Sequence, residues 1–404
     1  MVYFVSYFSR KDFAAVMAGM ISDGSISRAN AGLVGTMLFA FYGVGQLISG
    51  YLGDKMKPRS LIMIGLSTTA ICNALMPFMP EVGMIIVWGI NGLAQAMLWP
   101  PIVKILATHL DHKTYVTAHL VVTSAAHFAT VLLYLYVPLC LTLMTWRTVF
   151  LTAYLLAALS LVVFVVAIHI LLPKESASAN LASANANARP RSVDDEKLFH
   201  VLRKSGIFTV FVCIIVVGFL RDGIESWLPM LYSEAFSKDV SESTLVSIVL
   251  PIFSILSIAI VTALHRKRVL NNEVRGAMIL FAISVCAALP LVFLLEMDGV
   301  FSRTVALLLT AFICGAMHGV NFLLISCLPG RFAHVGRSAT VSGVCNSCVY
   351  IGAAISTYGI ALVSERLGWS ATAGTWCGIL AVGIVFALLS YKKYTAMLKK
   401  QSAE

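Results

Sequence analysis

The sequence predicts an all-α integral membrane protein whose helices cross the bilayer about twelve times, in two pseudo-symmetric halves of six helices. Three observations predict this class. Charged residues are 12% of the 404-residue chain, about half their share in soluble domains, and the mean hydropathy is +0.88. Apolar stretches long enough to span a membrane recur along the whole chain. One long polar stretch lies near the middle and predicts the division into halves.

Each predicted span is an apolar stretch of the length that a helix needs to cross the hydrocarbon core. Periodicity adds little, because a lipid-facing helix is apolar nearly all round. No cleavable signal peptide is predicted, because the first stretch carries charges in its middle and no A-x-A-like site follows it. The predicted spans begin near Met1, Ala29, Ser60, Glu81, Tyr115, Trp146, Ile207, Thr244, Arg275, Arg303, Arg337 and Ser370.

The polar stretch at residues 173–205 predicts a flexible cytoplasmic linker. Its core, ESASANLASANANARPRS, is low in complexity and has few bulky apolar residues that could form a packed core. The linker separates a predicted N-terminal six-helix bundle, residues 1–172, from a predicted C-terminal six-helix bundle with a short cytoplasmic tail, residues 206–404.

Lys and Arg residues are divided unequally between the two predicted sides of the membrane. Of the 29, 21 lie on one side, five on the other and three within spans. Because cytoplasmic loops carry the excess of positive charge, both termini and the linker are predicted to face the cytoplasm of a multi-pass protein of the cell inner (plasma) membrane. The same bias explains the net charge of +10, so nucleic-acid binding is not predicted.

Two arginines lie where a cation is costly. Arg10 is near the middle of the apolar stretch from Met1 to Ile21, and Arg221 is near the middle of the stretch from Phe208 to Tyr232. A charge at the centre of a bilayer costs several kcal/mol unless it has a partner or a water-filled cavity. Two cations at matching depth in the two halves therefore predict a central site for an anion.

The segment that follows the second span reads GYLGDKMKPR, residues 50–59, and is predicted to be a loop. It resembles the G-x-x-x-D-[KR]-x-x-x-[KR] signature of the major facilitator superfamily. Glycines let helix ends approach closely, and an acid there can meet a helix N-terminus or a basic side chain across the interface of the halves. A contact made in only one conformation would bias alternating access, although an incidental acid in a positive loop is the alternative. The predicted gating residues are Gly50, Asp54, Lys55 and Arg59.

Other segments resemble a narrower family, the organophosphate:phosphate antiporters. YFSRKDFA at residues 7–14 is similar to that family's Y-x-x-R-K-N-F-x pattern, and LRDGIESWLP at residues 220–229 is similar to its L-R-x-G-I-x-x-W-x-P. QAMLWPP at residues 95–101 and the Pro58–Arg59 pair also suit it. The resemblance is patchy but covers both halves, and it implies the major facilitator fold.

The resemblance also implies a substrate site. Arg10 and Arg221 match the two arginines that hold the substrate phosphate, and guanidinium suits this role because it donates two parallel hydrogen bonds to phosphate oxygens. Gln46 stands where the glycerol-3-phosphate member has a lysine, so the site is predicted to be less positive. The remaining implied substrate-binding residues are Lys11, Tyr7, Tyr42, His127 and Tyr350.

Acidic residues near the arginines leave alternatives open. Asp12 and Asp222 each follow a cation directly, and we expect them to be poorly placed against their own arginines, because neighbours in a helix point to different faces. Glu225 lies four residues after Arg221 and shares its face. It could form a structural ion pair with Arg221, compete with the substrate for it, or act as a proton-coupling group.

Two histidines are weaker candidates. His127 shares a helix face with Thr123 and Ser124, which fits a cavity wall, but a lone histidine in a membrane is as often a helix–helix hydrogen bond. His318, with Asn321 in the tenth predicted span, is a second candidate. Metal-binding, nucleotide-binding and nucleophile motifs are missing from the sequence, so neither an enzyme nor a cofactor is predicted.

The predicted function is uptake of a small phosphorylated organic anion in exchange for inorganic phosphate, by rocking of the halves around a central site. The predicted partners are that metabolite, inorganic phosphate and the lipid bilayer, and the protein is expected to be a monomer. A proton-coupled symporter for an organic acid and a transporter-like sensor of sugar phosphate are the alternatives.

Overall fold

The structure, a computed structural model, describes residues 1–171, 205–335 and 338–401 of the chain. Within these ranges the chain is helical and no strand is present. The all-α prediction is therefore confirmed. The predicted linker lies outside the described residues, apart from Ser205.

The helix boundaries follow the predicted apolar stretches closely. In the first half the helices are α1 (Val2–Ser22), α2 (Arg28–Lys55), α3 (Pro58–Leu75), α4 (Glu81–Ala96), α5 (Trp99–His109), α6 (His112–Leu143) and α7 (Trp146–Leu171). In the second half they are α8 (Ile207–Ala235), α9 (Val240–Val246), α10 (Val249–Arg266), α11 (Glu273–Leu294), α12 (Val300–Asn321) and α13 (Ser338–Gln401), with a π-helical segment, Phe322–Cys327, and a 3-10 segment, Leu328–Val335, before α13.

The number of membrane spans differs from the predicted twelve. Ten helical segments among the described residues are long and apolar enough to cross a membrane. Helix α1 is not among them, because Arg10, Lys11 and Asp12 lie in its middle. Helix α13 is counted once, although Gly368 interrupts it with a backbone φ of 80° and ψ of 179°. Both differences come from local features of helices that the sequence already predicted.

One predicted span is broken in its middle. Helix α4 ends at Ala96 and α5 begins at Trp99, directly before Pro100 and Pro101. Proline lacks the amide hydrogen that would bond the preceding turn, so a helix restarts at such a pair rather than continuing through it.

The connection between α2 and α3 is shorter than the predicted loop. Helix α2 continues to Lys55, so only Met56 and Lys57 connect it to α3. Met56 is extended, with φ −108° and ψ 153°, and Pro58 opens α3 at the position where proline is best tolerated. The prediction that residues 50–55 form a loop was wrong, because the helical path of α2 includes them.

Close packing of helix backbones holds α8 against α13. An added Cβ on Gly218 would lie 1.9 Å from the carbonyl oxygen of Val349, and one on Gly352 would lie 2.0 Å from that of Ile215. Only glycine permits this approach, and small residues at helix crossings are the usual way to pack helices in a membrane. The crossing fixes the position of α8, which carries Arg221.

The two halves are joined at the end of the molecule where α1 leads into α2. Arg28, at the start of α2, forms an ion pair with Glu234 of α8. The indole Nε1 of Trp369 donates to Glu234 Oε2 at 2.7 Å. On the same side, Thr36 Oγ1 donates to the carbonyl oxygen of Ala354 at 2.8 Å. These contacts close one end of the space between the halves.

Candidate functional site

A cavity of about 520 Å³ lies between the halves and is lined by α1, α2, α6, α8, α12 and α13, among others. Its size is that of a small-molecule site. All the residues predicted to bind substrate line it, and so does the predicted coupling residue: Tyr7, Arg10, Lys11, Tyr42, Gln46, His127, Arg221, Glu225 and Tyr350.

Arg10 projects into the cavity from α1 and is 8% exposed. Its guanidinium carbon lies 4.3 Å from the centre of the Tyr7 ring and 5.0 Å from the centre of the Tyr42 ring. Among the described residues, it has neither a carboxylate partner nor a hydrogen bond. The aromatic faces stabilise the cation but leave its charge uncompensated.

Aromatic side chains from both halves surround Arg10. The rings of Tyr42 on α2 and Tyr350 on α13 are 4.4 Å apart, so they meet across the boundary of the halves. Tyr3 packs 5.1 Å from Tyr7 and 4.5 Å from Trp99. Tyr3 was not predicted as a cavity residue, because it lies near the start of the sequence, where an interfacial tyrosine is ordinary.

Arg221 differs from Arg10 in its partners. It donates to Asp222 Oδ2 at 2.6 Å and to Asn321 Oδ1 at 2.7 Å. The expectation that Asp222 is poorly placed against Arg221 was wrong, because the long arginine side chain can turn back to the carboxylate of its neighbour. Arg221 keeps further N–H donors, since a guanidinium group carries five.

Glu225 pairs with Lys11 rather than with Arg221. The Lys11 ammonium on α1 forms an ion pair with Glu225 on α8, so this contact links the halves. Lys11 Nζ also lies 4.0 Å from Asp222 Oδ1. His318 Nε2 is 2.8 Å from the other oxygen of Glu225. The alternative of a structural Arg221–Glu225 pair was wrong, because Arg221 directs its N–H groups to Asp222 and Asn321 instead.

His127 faces the cavity and also bonds its own helix. Its Nδ1 lies 3.2 Å from the carbonyl oxygen of Thr123, and its ring centre is 6.3 Å from that of His318. Gln46 is half-buried in the wall formed by α2. Their roles in binding stay predictions.

The described part of the cavity lining is positive on balance. It carries three cationic side chains, Arg10, Lys11 and Arg221, and two carboxylates, Asp222 and Glu225. Ligand atoms of Glu225, Cys314 and His318 lie within 4.8 Å of one another. Lys11 already neutralises Glu225, and the three nearby cations oppose a metal ion there. The arrangement favours an anion.

Of the predicted gating residues, Arg59 is the one whose side chain the structure describes, and it does not line the cavity. The side chains of Gly50, Asp54 and Lys55 are outside the described residues, although their backbone is helical. Arg59 is half-buried in the first turn of α3. Their gating role stays a prediction.

The chain is similar in sequence to a known family and to individual known proteins. A family model described as Major Facilitator Superfamily matches residues 1–357. The chain is 34% identical over 113 residues to a probable hexose phosphate transport protein of Chlamydia trachomatis serovar D, which is 28% of this chain and 25% of that protein. It is 31% identical over 105 residues to the membrane sensor protein UhpC of Escherichia coli K12, which is 26% of this chain and 24% of that one. The chain thus spans about a quarter of the length of these relatives.

The fold is also that of solved transporters. The structure of a D-xylose–proton symporter superposes with a TM-score of 0.70, at 14% sequence identity, over 97% of this chain and 96% of that one. At this identity, the likeness concerns the fold alone.

Proposed function

Because the chain belongs to the Major Facilitator Superfamily, we propose that this multi-pass membrane protein carries a small phosphorylated organic anion into the cell in exchange for inorganic phosphate. The observation that carries the proposal is Arg10, a buried cation that faces the cavity without a carboxylate among the described residues. A buried charge without a counter-charge is costly, so we expect an anion to bind at this site.

The phosphoryl group is the part of the substrate that the arginines would hold. Guanidinium is always charged and donates parallel hydrogen bonds that match the spacing of phosphate oxygens. Arg10 lies on α1 of one half and Arg221 on α8 of the other, and both line the same cavity. A bound phosphate would therefore draw the halves together. The hexose phosphate transport protein to which the chain is similar supports the choice of a phosphorylated substrate.

Exchange follows from the charges that remain when the cavity is empty. Lys11 and Glu225 pair across the halves, and Asp222 offsets Arg221, so Arg10 is left as the uncompensated cation of the described lining. Moving this charge through the closed state without an anion costs more than moving it with one. The carrier would then return mainly with phosphate bound. This mechanism uses the protein as a transporter and not as an enzyme.

The protein is proposed to lie in the membrane in the orientation that the distribution of its Lys and Arg residues predicts. Residues 1–172 and 206–404 form the two rocking halves, both termini face the cytoplasm of the plasma membrane, and the monomer is the working unit. The segment with Gly50, Asp54, Lys55 and Arg59 would close the cytoplasmic end in one state. Arg28 and Glu234 would close the outer end in the other.

The test is counterflow in proteoliposomes. The purified chain is reconstituted with unlabelled phosphate inside, and uptake of labelled phosphate and of labelled hexose or glycerol phosphates is measured with no pH gradient. We expect internal phosphate to drive uptake of at least one organophosphate. Uptake that does not depend on internal phosphate and that requires a pH gradient would contradict the exchange mechanism.

Proton-coupled symport of an organic acid is the second candidate, favoured by the contact between Glu225 and His318 at 2.8 Å. The Glu225→Gln variant separates the two functions. Under exchange, phosphate counterflow persists in this variant, because Glu225 does not hold the substrate. Under symport, uptake driven by a pH gradient is lost, because the proton has no acceptor. A pure sensor, as the name of the UhpC relative suggests, would give no counterflow at all.

A further inference from the structure

A second polar cluster lies within the first half, in the helix packing around α1. Of eleven fully buried side-chain polar atoms without a hydrogen-bond partner among the described residues, seven belong to α1, α3, α4 and α7. They are Asp12 Oδ2, Thr69 Oγ1, Asn73 Oδ1, Trp88 Nε1, Asn91 Oδ1, Gln95 Nε2 and Ser160 Oγ. Buried polar atoms are nearly always partnered, so the unpartnered oxygens among them indicate a missing ligand; Trp88 Nε1 and Gln95 Nε2 are donors and are not part of it.

Hydrogen bonds bring three of these side chains to one turn of α1. The carbonyl oxygen of Ser9 accepts from Asn73 Nδ2 at 3.3 Å and from Asn91 Nδ2 at 3.2 Å. Asp12 Oδ1 accepts from the amide of Phe13 at 2.8 Å, and in an α-helix that amide faces the carbonyl of Ser9. Thr69 adjoins them, because its carbonyl also accepts from Asn73 Nδ2, at 2.9 Å.

The side-chain amides of Asn73 and Asn91 both bond to the carbonyl oxygen of Ser9, and this shared acceptor fixes how they are turned. A carbonyl oxygen only accepts, so Asn73 and Asn91 must turn their nitrogens towards Ser9. Their Oδ1 atoms are then left without a donor, as is Asp12 Oδ2. The cluster therefore has three oxygen atoms that lack either a hydrogen-bond donor or a cation.

An ionised Asp12 would be without a cation among the described residues. Asp12 is 0% exposed and does not line the cavity. The adjacent cations are engaged elsewhere, since Arg10 contacts Tyr7 and Tyr42 and Lys11 pairs with Glu225. Burial of a carboxylate is very costly unless a cation or a proton neutralises it, and a water molecule could only hydrogen-bond to these oxygens.

We propose that Asp12, Thr69, Asn73 and Asn91 bind a sodium ion inside the first half. Hard cations prefer carboxylate, carbonyl and hydroxyl oxygens, and coupling ions in transporters are held by such groups near the middle of the bilayer. A single carboxylate balances a single positive charge, which favours a monovalent ion over a divalent one.

The test is direct binding of radioactive ²²Na⁺ to the purified full-length chain in detergent, by a scintillation proximity assay. We expect saturable binding that unlabelled Na⁺ displaces and choline does not. Asp12→Asn removes the charge at nearly constant size and should abolish binding. Asp23→Asn, at an exposed acid in the turn after α1, is the matched control and should bind as the unmodified chain does.

A second variant keeps the test decisive if Asp12→Asn does not fold. Thr69→Val removes one oxygen ligand at nearly constant shape, and we expect the affinity for Na⁺ to fall by about tenfold or more. Thermal unfolding in NaCl and in choline chloride at equal ionic strength gives an independent measure, with a higher midpoint in NaCl for the unmodified chain and for Asp23→Asn, and a smaller difference for Thr69→Val. Absence of Na⁺ binding to the unmodified chain, which would indicate a protonated Asp12 or internal water, would overturn the site. Unchanged affinity in Thr69→Val would overturn the ligand set.

Discussion

Arg10 and Arg221 are the same residue type in two different settings. Arg10 is held by the faces of Tyr7 and Tyr42, whereas Arg221 bonds Asp222 and Asn321. The charge of Arg221 is therefore partly compensated before any ligand arrives. At the residue scale, Arg10 supplies the attraction for an anion, and Arg221 supplies directed donors from the opposite half.

The tyrosine beside Arg10 gives a prediction at this scale. Tyr42→Phe keeps the ring that lies 5.0 Å from the guanidinium group, whereas Tyr42→Leu removes it. A cation–π contact contributes about 0.5–2 kcal/mol, so we expect phosphate affinity to fall by about two- to thirtyfold in Tyr42→Leu and to change little in Tyr42→Phe. Titration of phosphate binding measures both variants. Equal losses in the two would mean that the hydroxyl group, not the ring, matters.

At the scale of the elements, the positions of the helices are predicted mainly by hydropathy and by single charged residues. The starts of α4, α7 and α8 at Glu81, Trp146 and Ile207 agree with the predicted starts of their spans. Hydropathy could predict them because the length of a bilayer-crossing helix is fixed. The break between α4 and α5 differs from the single predicted span, because hydropathy stays high across it although Pro100 and Pro101 interrupt the helix.

The pairing of side chains could not be predicted in the same way. All the predicted substrate-binding residues reached one cavity, because an isolated polar residue in an apolar helix must turn away from lipid. Which acid meets which cation depends on how α1 and α8 are rotated towards each other. That rotation is set by long-range packing, so the Lys11–Glu225 pair has no signal in the local sequence.

The crossing of α8 and α13 gives a prediction for an element. Gly218→Ala places a methyl group against the carbonyl oxygen of Val349, 1.9 Å from the ideal position. We expect a loss of about 1–3 kcal/mol in the free energy of unfolding, because a helix backbone must shift. Gly374→Ala is the control, since nothing lies within 4 Å of its added methyl group. Thermal unfolding in detergent compares them, and an equal midpoint for both variants would contradict the close packing.

At the scale of the whole molecule, the structure is closed at one end. Arg28 and Glu234 join the halves there, with Trp369 bonded to the same carboxylate. In the predicted orientation this is the outer end, so the cavity would open towards the cytoplasm. An ion pair between rocking halves stabilises only the state in which it forms.

Weakening this link should shift the conformational equilibrium. Glu234→Gln removes the ion pair with Arg28, and we expect a larger population with the outer end open. Spin labels at Asp23 and Glu296, exposed residues of the two halves at this end, report the distance by double electron–electron resonance on a background without reactive native cysteines. The distribution should move to longer distances.

The matched control for this shift is Glu242→Gln. Glu242 is an exposed acid that pairs with Lys238 in its own half, 3.2 Å away. Its loss should leave the distance distribution unchanged. The same shift in both variants would mean that general charge, and not the link between the halves, governs the equilibrium.

The central claim is that two arginines from opposite halves hold one phosphate, and equilibrium binding of labelled inorganic phosphate to purified protein tests it most directly. Lysine keeps the charge but cannot make paired parallel hydrogen bonds, so Arg10→Lys and Arg221→Lys should each lose specific binding while remaining folded. Arg303→Lys, at a residue outside the cavity lining, should bind phosphate as the unmodified chain does. Unimpaired binding in either Arg10→Lys or Arg221→Lys would contradict the shared site.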